Sequence, residues 1–264
     1  MAPRTNSSGL RRDVEILDLL AQQAGRPGQE LGVLRIADKL QRDKSQVSRA
    51  LTTLAEAGLV ERDPETMAYR IGWKMFSLAA LTLESRLCVI ARPYLRRIAS
   101  HVDETTVLCV LRGNDLLTIA SESSSKPVRA VQWEGVAVAA AATSAGRVLV
   151  CEWPEEAVTS FFTPERLESA GANPRLRTPG ALLKELATIR TRGFAIVEEE
   201  FEDDVVGCSA PVRGHDGRIV AAINITAPKG RFGKRLELAA RYTASVASEM
   251  SAELSGGPSR VDRT

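Results

Sequence analysis

The sequence predicts an α+β chain in two folded parts, a small helical part closed by a β-hairpin and a larger antiparallel sheet flanked by helices. Three observations predict it. At 264 residues, 44% hydrophobic and 26% charged, the chain is long enough to bury two separate cores. Apolar residues recur at helical spacing as far as Ala57, and a short hairpin pattern follows. Beyond residue 104, strand-like runs alternate with helical segments, and turn residues join neighbouring runs.

In the first part, Val14, Leu17, Leu20 and Ala24, with Ile16 and Leu19 beside them, predict a helix that follows Arg11 and Arg12. "AGRPGQ" breaks the chain. Leu34, Ile36, Ala37 and Leu40 predict a second, short helix. Asp43 is placed to cap a third, with Gln46 three residues on as in a capping box. Val47, Ala50, Leu51, Leu54 and Ala57 form the inward stripe of that helix, and Gly58 suits the left-handed residue just past its end. "LVERDPETMAYRIG" then reads as a hairpin with Arg62 and Arg70 on its two arms. Three helices and a basic hairpin in that order describe a winged helix-turn-helix.

From Trp73 to Val102 the pattern is helical, with Pro93 expected to break it or to start a new helix. The helix after Trp73 is expected to be the one continuous element joining hairpin to sheet. Strand signals follow at "TTVLCVLR", "DLLTIASE", "VRAVQW", "FAIVEEE", "GCSAPVR" and "RIVAAINIT". Turns at Gly113-Asn114-Asp115 and Gly214-His215-Asp216-Gly217 join two pairs of them. Helices are expected in "SAGRVLVCEW", "GALLKELATIRTRG" and "KRLELAARYTASVASEMSAEL". The expected domains are 10–72, a linker helix at 73–86, a sheet domain at 87–256 and a disordered tail at 257–264.

Composition restricts the function. No window approaches about 18 uninterrupted apolar residues, and the first residues lack the apolar core of a secretory signal, so a cytoplasmic protein with no membrane partner is expected. Four widely spaced cysteines without a CxxC pair read as separate core thiols. With two histidines, no glycine-rich phosphate loop and no metal-spaced cluster, neither catalysis nor a cofactor is expected. The acidic run Glu198-Glu199-Glu200 reads as a solvated strand end. The net charge of +2 lies wholly before Met75, with 12 basic against 10 acidic residues, so any attraction to nucleic acid must be arranged locally.

The third helix offers such an arrangement. Its outer face carries Lys44, Ser45, Gln46, Ser48, Arg49, Thr52 and Thr53, with no acid before Glu56. Short or hydrogen-bonding side chains without acids suit close approach to phosphates and base edges in a major groove, whereas an ordinary solvated helix mixes Glu and Lys. Hairpin arginines can lie along the phosphate backbone or in the minor groove. In the second part, "AAAATSAGRVLV" runs a loop of small residues into a helix near Ser144. Small residues there admit either the close approach of a ligand or tight packing of the helix start.

The sequence resembles the isocitrate lyase regulator (IclR) family of bacterial transcription factors from about Leu10 to Leu254. The resemblance rests on "SQVSRALTTLAEAGLVERDPETMAYRIG", "TSAGRVLV" and "RGFAIVEEEFEDDVVGCSAPVRGHDGRIVAAINITAP", and on the spacing of these pieces. It implies a winged-helix domain, a linker helix and a GAF-like effector domain that binds a small organic acid. It also implies double-stranded operator DNA as partner, and dimers or dimers of dimers. By position, the expected DNA contacts are Arg35, Lys44, Ser45, Gln46, Ser48, Arg49, Thr52, Arg62 and Arg70. The expected ligand contacts are Ser144, Ala145 and Gly146 at the helix start, Val197, Gly207 and Cys208, and Asn224 and Thr226 on the last strand. The chain departs from the family at three of them. Ser144 stands where a glycine is usual, Gly207 falls where a cysteine is common, and apolar Val197 aligns with an acid. These departures point to an aromatic or otherwise semi-apolar carboxylic acid. The competing expectation from residues alone is an enzyme or signalling protein that carries a winged helix.

Overall fold

A computed structural model describes residues 8–23, 31–80, 82–113, 115–124, 126, 134–135 and 137–256. The chain divides into two compact units, Met1–Ser85 and Arg86–Thr264.

In the first unit, α1 (Ser8–Gln23), α2 (Val33–Lys39) and α3 (Lys44–Glu56) precede a hairpin of β1 (Val60–Arg62) and β2 (Tyr69–Ile71), and α4 (Trp73–Ala79) follows. Ile16, Leu20, Leu31, Ile36, Val47, Leu51, Leu54 and Val60 form its core. Three residues of the expected stripes do not belong to it, among them Ala57, which is exposed just past the end of α3. Val14 is 43% and Leu34 66% exposed, because Ile16 with Leu20 and Ile36 with Ala37 already fill the inward faces of α1 and α2. Ala24 lies outside the described residues.

Both ends of α3 follow local signals. Asp43 accepts the backbone N–H groups of Ser45 and Gln46, and the Ser45 hydroxyl also donates to its carboxylate. These bonds hold the Asp43 carboxyl below the usual carboxylate range, the Ser45 hydroxyl most of all. At the other end Gly58 takes φ +73°. Its N–H bonds Ala55 O and that of Leu59 bonds Leu54 O, the paired bonds of a Schellman motif. In the hairpin, Val60 pairs with Ile71, Glu61 with Arg70 and Arg62 with Tyr69, and Tyr69 also bridges to Leu31. Gly72 lies so close to Gly58 that a Cβ on it would stand 2.3 Å from the Gly58 carbonyl oxygen.

Two expectations about the linker are corrected. No single helix spans 73–86: α4 ends at Ala79, and α5 (Leu83–Val102) begins after Thr82, whose hydroxyl accepts the Ser85 N–H as an N-cap. Nor does Pro93 interrupt the pattern, since α5 runs through it. The carbonyl that Pro93 leaves unbonded belongs to Val89, which is exposed, so water can satisfy it.

The second unit is built on β3 (Thr106–Arg112), β4 (Asp115–Glu122), β5 (Ala137–Ala139), β6 (Ala195–Glu198), β7 (Val205–Arg213) and β8 (Ile219–Pro228), antiparallel in the order β5-β4-β3-β8-β7-β6. Alternation along the strands separates two cores. Leu108, Val206, Cys208, Ala210, Ile223 and Ile225 pack with Leu87, Ala91, Leu95 and Ile98 of α5 and with Ala240, Val246 and Met250 of α11 (Leu236–Leu254). On the other face, Val107, Cys109, Ala195 and Ala222 meet α6 (Ser144–Val150) and α9 (Pro179–Arg192). The short helices α7 (Glu155–Phe161) and α8 (Pro164–Glu168) join this second core, while α10 (Lys229–Phe232) places Phe232 in the first. Strand β5 and helices α7, α8 and α10 were not expected from sequence. The run "VRAVQW", Asn114 of the β3–β4 turn and the tail lie outside the described residues. Among those that are described, no helix is long and apolar enough to cross a membrane.

Candidate functional site

From Lys44 to Thr53 the outer face of α3 is polar and free of acids, the exposed Glu56 of the last turn being the first. Lys44, Ser45, Gln46, Arg49, Thr52 and Thr53 are exposed and Ser48 is half-buried. Several side chains lie along the helix: Arg49 Nε donates to Ser45 O at 3.3 Å, Thr52 Oγ1 to Ser48 O at 3.0 Å and Thr53 Oγ1 to Arg49 O at 3.2 Å. Arg35 is exposed on α2. Arg42 fastens α1 instead, donating to the Arg12 carbonyl and pairing with Glu15.

The two hairpin arginines differ. The Arg62 guanidinium sits 5.5 Å from the Tyr69 ring centroid, where the stacked ring limits its freedom. Arg70 pairs with Glu61 across the hairpin at 2.9 Å, and Glu61 also accepts the Trp73 N–H at 3.2 Å. Glu61, which the sequence reading overlooked, therefore offsets the charge of one of the two basic arms.

In the second unit, a cavity of about 60 Å³ lies between the sheet and the turn leading into α6. Five of the eight expected ligand residues line it: Ser144, Val197, Gly207, Asn224 and Thr226. The other three do not, each for a packing reason. Ala145 is fully buried among the apolar side chains of the second core. Gly146 presses its backbone on the preceding turn, so a Cβ there would lie 2.0 Å from the Ala140 carbonyl oxygen. Cys208, next to Gly207 on β7, points to the opposite face of the sheet and packs in the first core. Of the two readings of the small-residue loop, tight packing therefore accounts for Ala145 and Gly146, while Ser144 faces the cavity.

Sequence reasoning missed much of the wall. Thr105, Val107 and Cys109 reach it from β3 and the residue before it, and Leu116 and Thr118 from β4. Their signal was the two-residue alternation, but it becomes useful only once β3 is known to pair with β8, setting Val107 beside Asn224. A bulge between the Leu108 and Cys109 pairings sets Cys109 against Thr118. Ala142, Thr143, Val138, Phe201 and Val205 complete the lining.

Among the described residues that line the cavity, none carries a formal charge. Ser144 Oγ and Ser209 Oγ lie 2.8 Å apart, and Thr226 Oγ1 donates to Asn224 Oδ1 at 2.9 Å, which leaves the Asn224 amide its donor hydrogens. Burial pushes the Cys109 thiol up to about 12, so it behaves as an apolar group. Gly207 lies against β8 between Ser144 and Thr226, where a Cβ would sit 3.0 Å from the Ile225 carbonyl oxygen and 3.6 and 3.8 Å from the two hydroxyls. The wall therefore suits a compact, semi-apolar molecule with one or two polar groups that hydroxyl and amide groups can hold.

The acidic run is also corrected. Glu200 is buried and paired with Arg147, while Glu199 pairs with Lys229, so neither is a solvated strand end. The histidines stay outside: His101 stacks on Tyr242 at 4.1 Å, and His215 is exposed in the β7–β8 turn. All four cysteines are free thiols, three of them buried.

Comparison with known proteins agrees with both halves. The description "Bacterial transcriptional regulator IclR C-terminal" matches residues 80–252, and "IclR helix-turn-helix domain" matches residues 9–64. The regulator BhcR of Paracoccus denitrificans is 31% identical over 93% of this chain and 88% of its own length. Among solved structures, the IclR protein of Thermotoga maritima is 25% identical with TM-score 0.69, over 93% of this chain and 98% of that one. An IclR homolog from Microbacterium hydrocarbonoxydans, solved as a complex with 4-hydroxybenzoate, is 22% identical with TM-score 0.76, over 95% of this chain and all of that one.

Proposed function

The chain belongs to the IclR family of bacterial transcriptional regulators, ligand-responsive DNA-binding proteins rather than enzymes, and on that premise we propose how this member reads DNA and senses its effector. Helix α3 enters the major groove of operator DNA. Lys44, Ser45, Gln46, Ser48, Arg49 and Thr52 face bases and phosphates there, with Arg35, Arg62 and Arg70 on the flanking backbone. The observation that carries this reading is the exposed outer face of α3, acid-free from Lys44 to Thr53, on a helix capped at both ends. The protein acts in the cytoplasm as a homodimer or a dimer of dimers on a pseudo-palindromic site, because two-fold symmetry in a protein selects two-fold symmetry in its operator.

The effector is a small aromatic carboxylic acid held in the second unit's cavity. Its ring packs on Val107, Leu116, Val197 and Phe201, and its polar groups bond Ser144, Asn224 and Thr226. The wall's polar groups support this reading, since Ser144 and the Asn224 amide can donate to the acid's oxygen atoms while the Thr226 hydroxyl, whose hydrogen goes to Asn224, can accept. Effector control follows if the ligand prefers one of two arrangements of the protein with different operator affinities. The test is binding to DNA upstream of the protein's own gene, measured by fluorescence anisotropy alone and with a panel of aromatic acids beginning with 4-hydroxybenzoate. A member of the panel that raises the melting temperature and shifts the DNA affinity supports the proposal. Sequence-independent DNA binding that no such acid alters would overturn it.

A further inference from the structure

The cavity draws its walls from two segments about sixty residues apart, the turn carrying Ala142, Thr143 and Ser144, and the loop that brings in Phe201 and Val205. A buried ion pair joins them. Arg147, 3% exposed, meets Glu200, 4% exposed, with Nη1 to Oε1 at 3.1 Å and Nη2 to Oε2 at 2.5 Å. The third guanidinium nitrogen, Nε, donates to the Ala141 carbonyl beside the first wall at 3.3 Å. Glu200 also accepts the Arg175 N–H, and the backbone of its loop accepts Asn173 N–H at Glu200 O and Ala172 N–H at Phe201 O. Gly171, at φ +73°, fits so closely beneath that a Cβ on it would stand 2.2 Å from the Glu200 carbonyl oxygen.

We propose that the Arg147–Glu200 pair is a strut that positions the two cavity walls and so sets how far the effector site opens. The significance of the proposal rests on reading the cavity as the effector site; its geometry does not. Removing water from two charges cancels most of their attraction, and an apolar pair of similar volume is commonly as stable or more so. An apolar pair lacks direction, however. A two-pronged guanidinium–carboxylate contact fixes both separation and plane, and here the third nitrogen bonds the backbone beside the opposite wall. Arg147 and Glu200 are therefore positioning residues, held inside the protein for geometry more than for stability.

The test replaces the strut by apolar volume in the full-length protein, as Arg147→Met with Glu200→Leu in a Cys88→Ser background. Methyl methanethiosulfonate is the probe, and mass spectrometry reports each thiol separately. Cys109 lines the cavity, whereas Cys208 lies across the sheet, so the two thiols separate local opening from general loosening. The expected result is a cooperative melt near that of the Cys88→Ser parent, Cys109 labelled about tenfold faster or more, and Cys208 unchanged. Unchanged Cys109 labelling, or equal acceleration of both thiols, overturns the proposal. If the double variant does not fold, hydrogen exchange on the unaltered protein decides. The amides of Gly146 and Arg147 must then open together with those of Ala172, Asn173 and Glu199, and independent opening overturns the strut. Neither experiment uses a ligand, so the strut and the effector reading can fail separately.

Discussion

Gly146→Ala sets two effects against each other. In a helix interior, alanine is favoured over glycine by about 0.8–1 kcal/mol, so propensity predicts a more stable protein. The new Cβ would lie 2.0 Å from the Ala140 carbonyl oxygen and 2.6 Å from its carbon, and even a 3.0 Å separation requires a displacement of 1.0 Å. The obstacle is backbone, so no rotamer change relieves it. All seven residues of α6 are buried, and moving the helix away disturbs packing on its far side as well. Overpacking of this kind costs about 1–3 kcal/mol, and a rigid obstacle puts the cost at the upper end. A net loss of about 2 kcal/mol is expected, or roughly 4–8 °C in Tm for a unit of this size. The assay is thermal unfolding by circular dichroism, with Gly180→Ala as control, because a Cβ at Gly180 in α9 meets nothing within 4 Å. A Gly146→Ala protein that melts at or above wild type would refute the packing role and return this glycine to the ligand site.

Four further outcomes are expected. Arg49→Ala weakens specific operator binding by about 1–3 kcal/mol if the side chain makes a two-pronged contact, and equal affinity in a folded variant contradicts the α3 reading. Arg62→Ala lowers affinity about equally on all sequences and reduces the salt slope by roughly one unit, so a changed base preference at one position would show that the hairpin reads sequence. Arg70→Ala costs more than Arg62→Ala because it uncovers Glu61, and Glu61→Ala in the same chain recovers part of the loss; a double variant no better than the single one counts against the pairing. The depressed Asp43 carboxyl stabilises the start of α3 above the unfolded-state pKa of about 3.9 and loses that effect as pH falls through its lower folded value. Amide exchange at Ser45 and Gln46 should accordingly rise in the acid range and, in Asp43→Asn, lose its pH dependence beyond the intrinsic change; first-turn protection equal at pH 3 and pH 6 in the unaltered protein would rule the cap out.

The parts of the fold legible in the sequence were those fixed by neighbours in the chain. Asp43 and Gly58 bound α3 through contacts two to five residues away, and Gly217, at φ +79°, serves the β7–β8 turn in the same local way. The break before α5 was legible too, in the Thr82 cap, but Pro93 was the more conspicuous residue and the wrong one. What could not be read was pairing at a distance. Nothing in the local pattern sets β3 beside β8, so half the cavity wall stayed hidden, and nothing in "VEEEFEDD" shows that Glu200 finds Arg147 53 residues earlier. Ala145 belongs to the same hidden packing, buried in the second core. A tryptophan there would disrupt the second core before it touched the cavity.

The close approach of Gly58 and Gly72 bears on how such a protein can change its target. The Gly72 N–H bonds Leu59 O and the Lys74 N–H bonds Gly58 O, so main-chain atoms fasten the end of α3 to the root of the hairpin. The capping residues Asp43 and Gly58 flank the stretch from Lys44 to Thr53, and apart from Ser45, whose hydroxyl joins the Asp43 cap, its outward side chains are not needed to hold the helix in place. Exchange of those outward residues should leave the unit folded, since exposed helix positions tolerate substitution with small effects on stability. Recognition can then drift one residue at a time, or be transplanted whole from a related regulator, while the mount that presents it stays the same.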